Sequence, residues 1–184
     1  MWKLREDTVK VTLGWIKSII PIPTDSSRPV RIYHPSFPDF ITSWEHCPHI
    51  DFYVSIPSHE TRLAIRCLDI LNSTLSKDVE TLLKPTEDMS TLSKEAVVRM
   101  IPLEVQYACR FWAIHVSFQP MEHCNTDLLM KLEAFSSTML VRWVIGMSIL
   151  GGVSDAITAA RTVQQWMVSL ESIRGMSPTH RLSG

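Results

Sequence analysis

Residues 101–118 read IPLEVQYACRFWAIHVSF, and the fold turns on how this stretch is read. Pro102 stands where a first helical residue belongs, and Glu104 falls in the first turn, where a carboxylate faces the positive end of the helix dipole. From Leu103 to Ser117 the apolar residues follow helical spacing and not the alternation of a strand. Val105, Ala108, Cys109, Trp112 and Val116 form one stripe, and Tyr107, Phe111, Ile114 and Phe118 form another. A helix apolar on two faces is expected to lie between neighbouring helices. The stretch therefore predicts a mainly α domain centred on residues 103–117.

The flanking segments extend this pattern. Ser58 is placed to cap a long helix in which Leu63, Cys67, Ile70, Leu71, Thr74 and Leu75 share a face. On the other side, Asn125 or Thr126 opens a helical region running to Leu150, with Leu128, Leu132, Phe135, Met139, Trp143 and Met147 in register. Gly151-Gly152 breaks it. Ser154 is the expected cap of a last helix that buries Ala156, Ala160, Val163, Met167 and Leu170. A long helix, a Gly-Gly turn and an Ala-rich helix make a helical hairpin of the kind stacked in α-solenoids. The apolar run from Thr138 to Val153 is shorter than the roughly 20 residues that span a bilayer and contains Arg142, so it reads as a core helix and not a membrane segment.

Towards the amino terminus the pattern changes. Residues 3–17 read as a helix with Val9, Leu13 and Ile16 on one face. Two β-branched runs follow, Ile19 to Ile22 and Val30 to Tyr33, separated by a Pro/Ser/Asp turn, and together they predict a short two-stranded hairpin. Pro21 and Pro23 make the first run an edge strand. Ser36 is placed to cap a short helix from Phe37 to Trp44, and residues 45–57 read as a linker loop. The polar stretch KPTEDMSTLSKE separates the helix after Ser58 from the helix at 103–117. The predicted organisation is thus an amino-terminal unit over 1–44, a linker over 45–57, a helical domain over 58–172 and a disordered tail over 173–184.

Composition narrows the function classes. Hydrophobic residues make up 45% of the chain, enough for a packed core and against disorder. The formal net charge is -1 and no Lys/Arg cluster stands out, which argues against nucleic-acid binding. Cys47, Cys67, Cys109 and Cys124 are widely spaced, with no CxxC, and the first residues carry no signal peptide, so reduced cysteines and a cytoplasmic location are expected. His46, Cys47 and His49 crowd one loop and His59 lies nearby, but the spacing matches no standard zinc site and names no fourth ligand. His123-Cys124 adds nothing to it. Cys67 and Cys109 sit on apolar helix faces and read as inert core residues, while Trp112, Trp143 and Trp166 read as packing. With no phosphate-binding Gly-rich loop, serine elbow or paired carboxylates in the sequence, the expectation is a non-enzyme without cofactor or metal.

Four stretches taken together, RPVRIYHPSFPDFI, HCPHIDFYVSIPSHETRLAIRCLDILNSTL, IPLEVQYACRFWAIHVS and LMKLEAFSSTMLVRWVIGMSILGGVSDAITAARTVQQW, resemble one family over roughly residues 8–170. It is the segment that follows the nucleotide-binding module in fungal NACHT-type, NOD-like STAND proteins. The resemblance implies the end of a winged-helix domain with its wing hairpin, followed by a superhelical, solenoid-like arm. In that class a winged-helix histidine lies near the β-phosphate of bound ADP, and by position the resemblance places His34 in this role. Pro35 stands where the Met-His-Asp-like motif of the wider STAND class has its aspartate, so no aspartate role carries over. A P-loop and Mg²⁺ site would lie before Met1, so ADP or ATP would be a ligand of a full-length parent and not of this chain. The implied function is a non-catalytic signalling arm that binds a protein partner or itself. The alternative, an independent winged-helix nucleic-acid binder, loses on charge and on a missing recognition helix.

Overall fold

The computed structural model describes residues 11, 14, 17–21, 31, 32, 34–82, 93, 101–121 and 125–175. The fold is mainly α. The helices whose bounds fall among the described residues are α1 (Ser36–Thr42), α2 (Ile56–Leu82), α3 (Leu103–Ser117), α4 (Thr126–Ala134), α5 (Leu140–Ile149) and α6 (Val153–Gly175), with a π-helical turn over Phe135–Met139 joining α4 to α5. The chain divides into two compact units, Met1–Ile56 and Pro57–Gly184. Among the described residues there is no strand. The expected wing hairpin is not seen where it can be checked: residues 17–20 turn, and Arg31 and Ile32 take no regular structure. The rest of the hairpin, most of the helix expected over 3–17, and nearly all of KPTEDMSTLSKE lie outside the described residues.

The first unit is held by short-range contacts. Pro35, not Ser36, occupies the cap position of α1, and Ser36 is its first helical residue. After α1 the chain returns on itself: the Val54 N–H donates to the Ile41 carbonyl at 2.8 Å, and Trp44 meets Tyr53 edge-on at 5.1 Å. Residues 43–55 form turns and loop, and the helix that follows begins at Ile56, inside the 45–57 range expected as linker.

The second unit is a bundle of α2 to α6. α2 starts at Ile56, ahead of the expected Ser58 cap, because Pro57 fits the first helical turn, where its missing N–H has no partner to lose. Its buried stripe is Ala64, Cys67, Leu68, Leu71 and Leu75, turned slightly from the one expected. Asn125 caps α4, its side-chain oxygen accepting from the N–H groups of Asp127 and Leu128 at 2.9 and 3.2 Å. At the far end of α5, Gly151 takes a φ of 68°, a conformation that glycine adopts at no steric cost. The Gly152 N–H reaches the Met147 carbonyl and the Gly151 N–H the Ser148 carbonyl, which together form a Schellman stop. α6 begins at Val153, before the expected Ser154 cap, and runs on to Gly175, into the segment expected as tail.

The centre of the core is aromatic. Trp112 of α3, Phe135 of the π turn and Trp143 of α5 meet pairwise at 4.8, 5.5 and 6.0 Å between ring centroids, in tilted or edge-on geometry that suits the ring quadrupoles. The Trp143 indole N–H donates to the Cys109 carbonyl at 2.9 Å. α6 packs on α3 and α5 through Ala156, Ala159, Val163, Trp166 and Leu170. Two of its expected core residues are instead exposed: Ala159 and Trp166 replace Ala160 and Met167, which puts the largest side chain of the helix inside.

Candidate functional site

His34 lies at the entrance to α1, on the surface of the first unit. Its Nδ1 accepts the backbone N–H of Ser36 at 3.1 Å and lies 2.7 Å from the Ser36 hydroxyl. Its carbonyl accepts from the Phe37 N–H at 3.2 Å. A ring nitrogen that accepts a backbone N–H carries no proton, so in this arrangement the imidazole proton sits on Nε2. His34 therefore does what the simplest reading of a junction histidine requires, by satisfying a backbone donor at a helix start. It also keeps one N–H free to point elsewhere.

A second polar cluster lies partly buried within the second unit, where α2 meets α3. His115 has only 7% of its surface exposed. Its Nδ1 lies 2.6 Å from a Glu60 carboxylate oxygen, and its Nε2 lies 2.9 Å from the Tyr107 hydroxyl. Both contacts are met when Nδ1–H donates to Glu60 and the Tyr107 O–H donates to Nε2. Burial, with the neighbouring Cys67 and Glu60, pushes the Tyr107 phenol up from its ordinary value and keeps it a donor. One turn on, the buried Gln119 accepts from the Thr61 hydroxyl, donates to the His115 carbonyl at 3.0 Å, and takes the Trp166 indole N–H on its own carbonyl at 3.4 Å. Polar pairs thus link α2, the end of α3 and α6. A carboxylate, an imidazole and a hydroxyl in a row are the parts of an activated nucleophile. Here the hydroxyl is a phenol held neutral, and the row works as a clamp that fixes how α2 and α3 sit together.

The sequence reading missed this cluster. Its signal was present: Tyr107, Phe111 and His115 are four residues apart and share one helix face, with ring centroids 4.8 Å apart for Tyr107–Phe111 and 5.8 Å for Tyr107–His115. Glu60, 55 residues away, carries no local sign of its role.

The third feature is the outer face of α3. The first stripe, from Val105 to Val116, is buried as expected. The second is not sandwiched: Tyr107 is 44% exposed, Phe111 38%, Ile114 47% and Phe118 57%, and Leu103 extends the row at 58%. Beside it, Arg110, Phe111 and Ile114 of α3 and Asp155, Ala159 and Thr162 of α6 line an open groove of about 320 Å³.

The loop histidines and cysteine make local contacts: the His49 ring accepts from the Asp51 N–H at 3.3 Å and packs on Phe52. Among the described residues no three His, Cys, Asp or Glu side chains gather to hold a metal, and no helix is long and apolar enough to cross a membrane. Cys47, Cys67 and Cys109 are unpaired and buried. Burial pushes the Cys67 thiol up to about 11 and the Cys109 thiol up to about 12, although Arg110 partly opposes the second shift. Thiols so held are poor nucleophiles. Compared with known proteins, the chain matches no family model, no curated protein and no solved structure.

Proposed function

We propose that this chain is a non-catalytic helical interaction arm, cytoplasmic, and part of a NACHT-type signalling switch whose nucleotide-binding core is encoded elsewhere in a parent. The observation that carries the interaction role is the row Leu103, Tyr107, Phe111, Ile114 and Phe118, which faces outward on a helix whose other side is core. Contiguous exposed apolar surface of this kind marks sites where another protein binds. The parentage rests on the resemblance in sequence, including the solenoid-like arm it implies. In such a parent His34 is the nucleotide-sensing candidate. The Ser36 N–H on Nδ1 leaves Nε2–H as the donor available to a phosphate oxygen.

In this chain alone that donor is not enough. One charge-assisted hydrogen bond contributes roughly 1.5–3 kcal/mol, whereas millimolar affinity already takes about 4 kcal/mol. Calorimetry on the isolated chain is therefore expected to show neither ADP nor ATP binding. The test of parentage is the coding sequence upstream of Met1 and the longer protein it specifies. A P-loop there, with ADP affinity reduced about tenfold or more in His34→Ala, supports the proposal. An upstream sequence without a P-loop, or micromolar ADP binding by this chain alone, overturns it.

A further inference from the structure

The groove between α3 and α6 has a composition that selects its occupant. α3 and α6 run side by side in the same direction, since residues 110–114 face residues 155–162 across the groove and Trp166 reaches Gln119 at the far end. The floor is apolar. Thr158 and Thr162 line it, yet their hydroxyls donate to the carbonyls of Ser154 and Thr158 in their own helix at 3.1 and 3.0 Å. Phe111 and Ile114 supply half-exposed apolar surface around it. At one end stand two opposite charges, Arg110 on the α3 lip and Asp155 on the α6 lip. Among the described residues neither belongs to an ion pair.

Resting on the interaction-face reading, we propose that this groove is the contact face of a two-fold homodimer in which Arg110 of each copy pairs with Asp155 of the other. A two-fold interface must be self-complementary, because the same patch meets itself. A cation on one lip and an anion on the other meet that condition. A two-fold axis passing between them lays each Arg110 over the opposite Asp155 and turns the two apolar floors towards each other. Apolar burial supplies the affinity and the paired charges fix the register. The net charge of -1 gives two copies no long-range reason to repel. A small ligand fits the groove less well. Its volume is at the low end of ligand pockets, which also enclose most of what they bind, and both charged groups are exposed, so salt bridges to a small ligand would add little.

The test is the mass of the full chain in solution, by sedimentation equilibrium, for the unchanged protein and three variants whose helicity is first shown to match it. The unchanged chain is expected to be a dimer at roughly 100 µM. Arg110→Asp and Asp155→Arg each place like charges together twice per dimer and are expected to weaken association about tenfold or more. Combining the two restores opposite pairing and is expected to recover the dimer, which a merely structural effect of either change would not do. A monomer at that concentration overturns the proposal, as does a dimer indifferent to the single changes or one not recovered in the combined variant. Such a result leaves the parentage of the chain to the upstream-sequence test, which shares no readout with this one.

Discussion

His115 shows how much one side chain can organise. It lies on the face of α3 that also carries Tyr107 and Phe111, and its two nitrogens join a carboxylate of α2 to a phenol of its own helix. Glu60→Ala leaves a buried N–H without its acceptor and is expected to cost about 1–3 kcal/mol in chemical denaturation. A cost near zero would mean that α2 and α3 do not depend on the clamp. The buried thiols make a second residue-scale prediction. Burial raises Cys67 from 9.0 to about 11 and Cys109 from 9.0 to about 12, so the folded chain holds these protons more tightly than the unfolded chain. This contribution to stability is intact below pH 9 and lost as pH rises through the folded values. Stability should therefore fall above pH 9, and fall less steeply in a Cys67→Ala, Cys109→Ala variant; identical slopes would contradict it. None of this long-range pairing was legible in the sequence. The stripe Val105 to Val116 declares itself by period, whereas Glu60 and His115 are 55 residues apart and no local pattern joins them.

Among the elements, the π turn is the informative one. From Leu128 through Leu132, Phe135, Met139 and Trp143 to Met147 the chain advances 19 positions in five turns, one more than the 18 that five α-helical turns of 3.6 take up. A plain α-helix would carry Trp143 and Met147 off the core face. The wider turn over Phe135–Met139 absorbs the extra residue and keeps both buried. The side chains there suit this: the hydroxyls of Ser136 and Ser137 donate to the Glu133 carbonyl at 3.0 and 2.8 Å, and that of Thr138 to the Ala134 carbonyl at 2.6 Å. Three successive spacings of four, beside a Ser-Ser-Thr run, were the sequence trace of this turn. The helical region was legible from Asn125 to Leu150, but the π turn was not, because a spacing of four also fits an α-helix locally. Deleting Ser137 is expected to convert the π turn to α while preserving cooperative unfolding, whereas deleting Val144 rotates half of α5 out of register and is expected to abolish it. Equal behaviour of the two deletions in thermal melts would contradict the register argument.

At the scale of the molecule, α3 divides inside from outside. The sequence shows two apolar stripes on this helix with almost equal clarity, and the natural inference is a neighbour on each side. Periodicity identifies a face as apolar, but it carries no information about what covers that face. Trp112 on one stripe is 3% exposed and Ile114, two residues on, is 47% exposed. The interaction reading depends on this division, and paired chemical denaturation of Trp112→Ala and Ile114→Gln at a concentration that keeps the chain monomeric measures it most directly. Trp112→Ala is expected to cost about 3–5 kcal/mol, as large aromatic deletions from a core do. Ile114→Gln is expected to stay within about 0.5 kcal/mol, as surface substitutions do. Comparable large costs for the two would place both faces of α3 in the core and contradict the account.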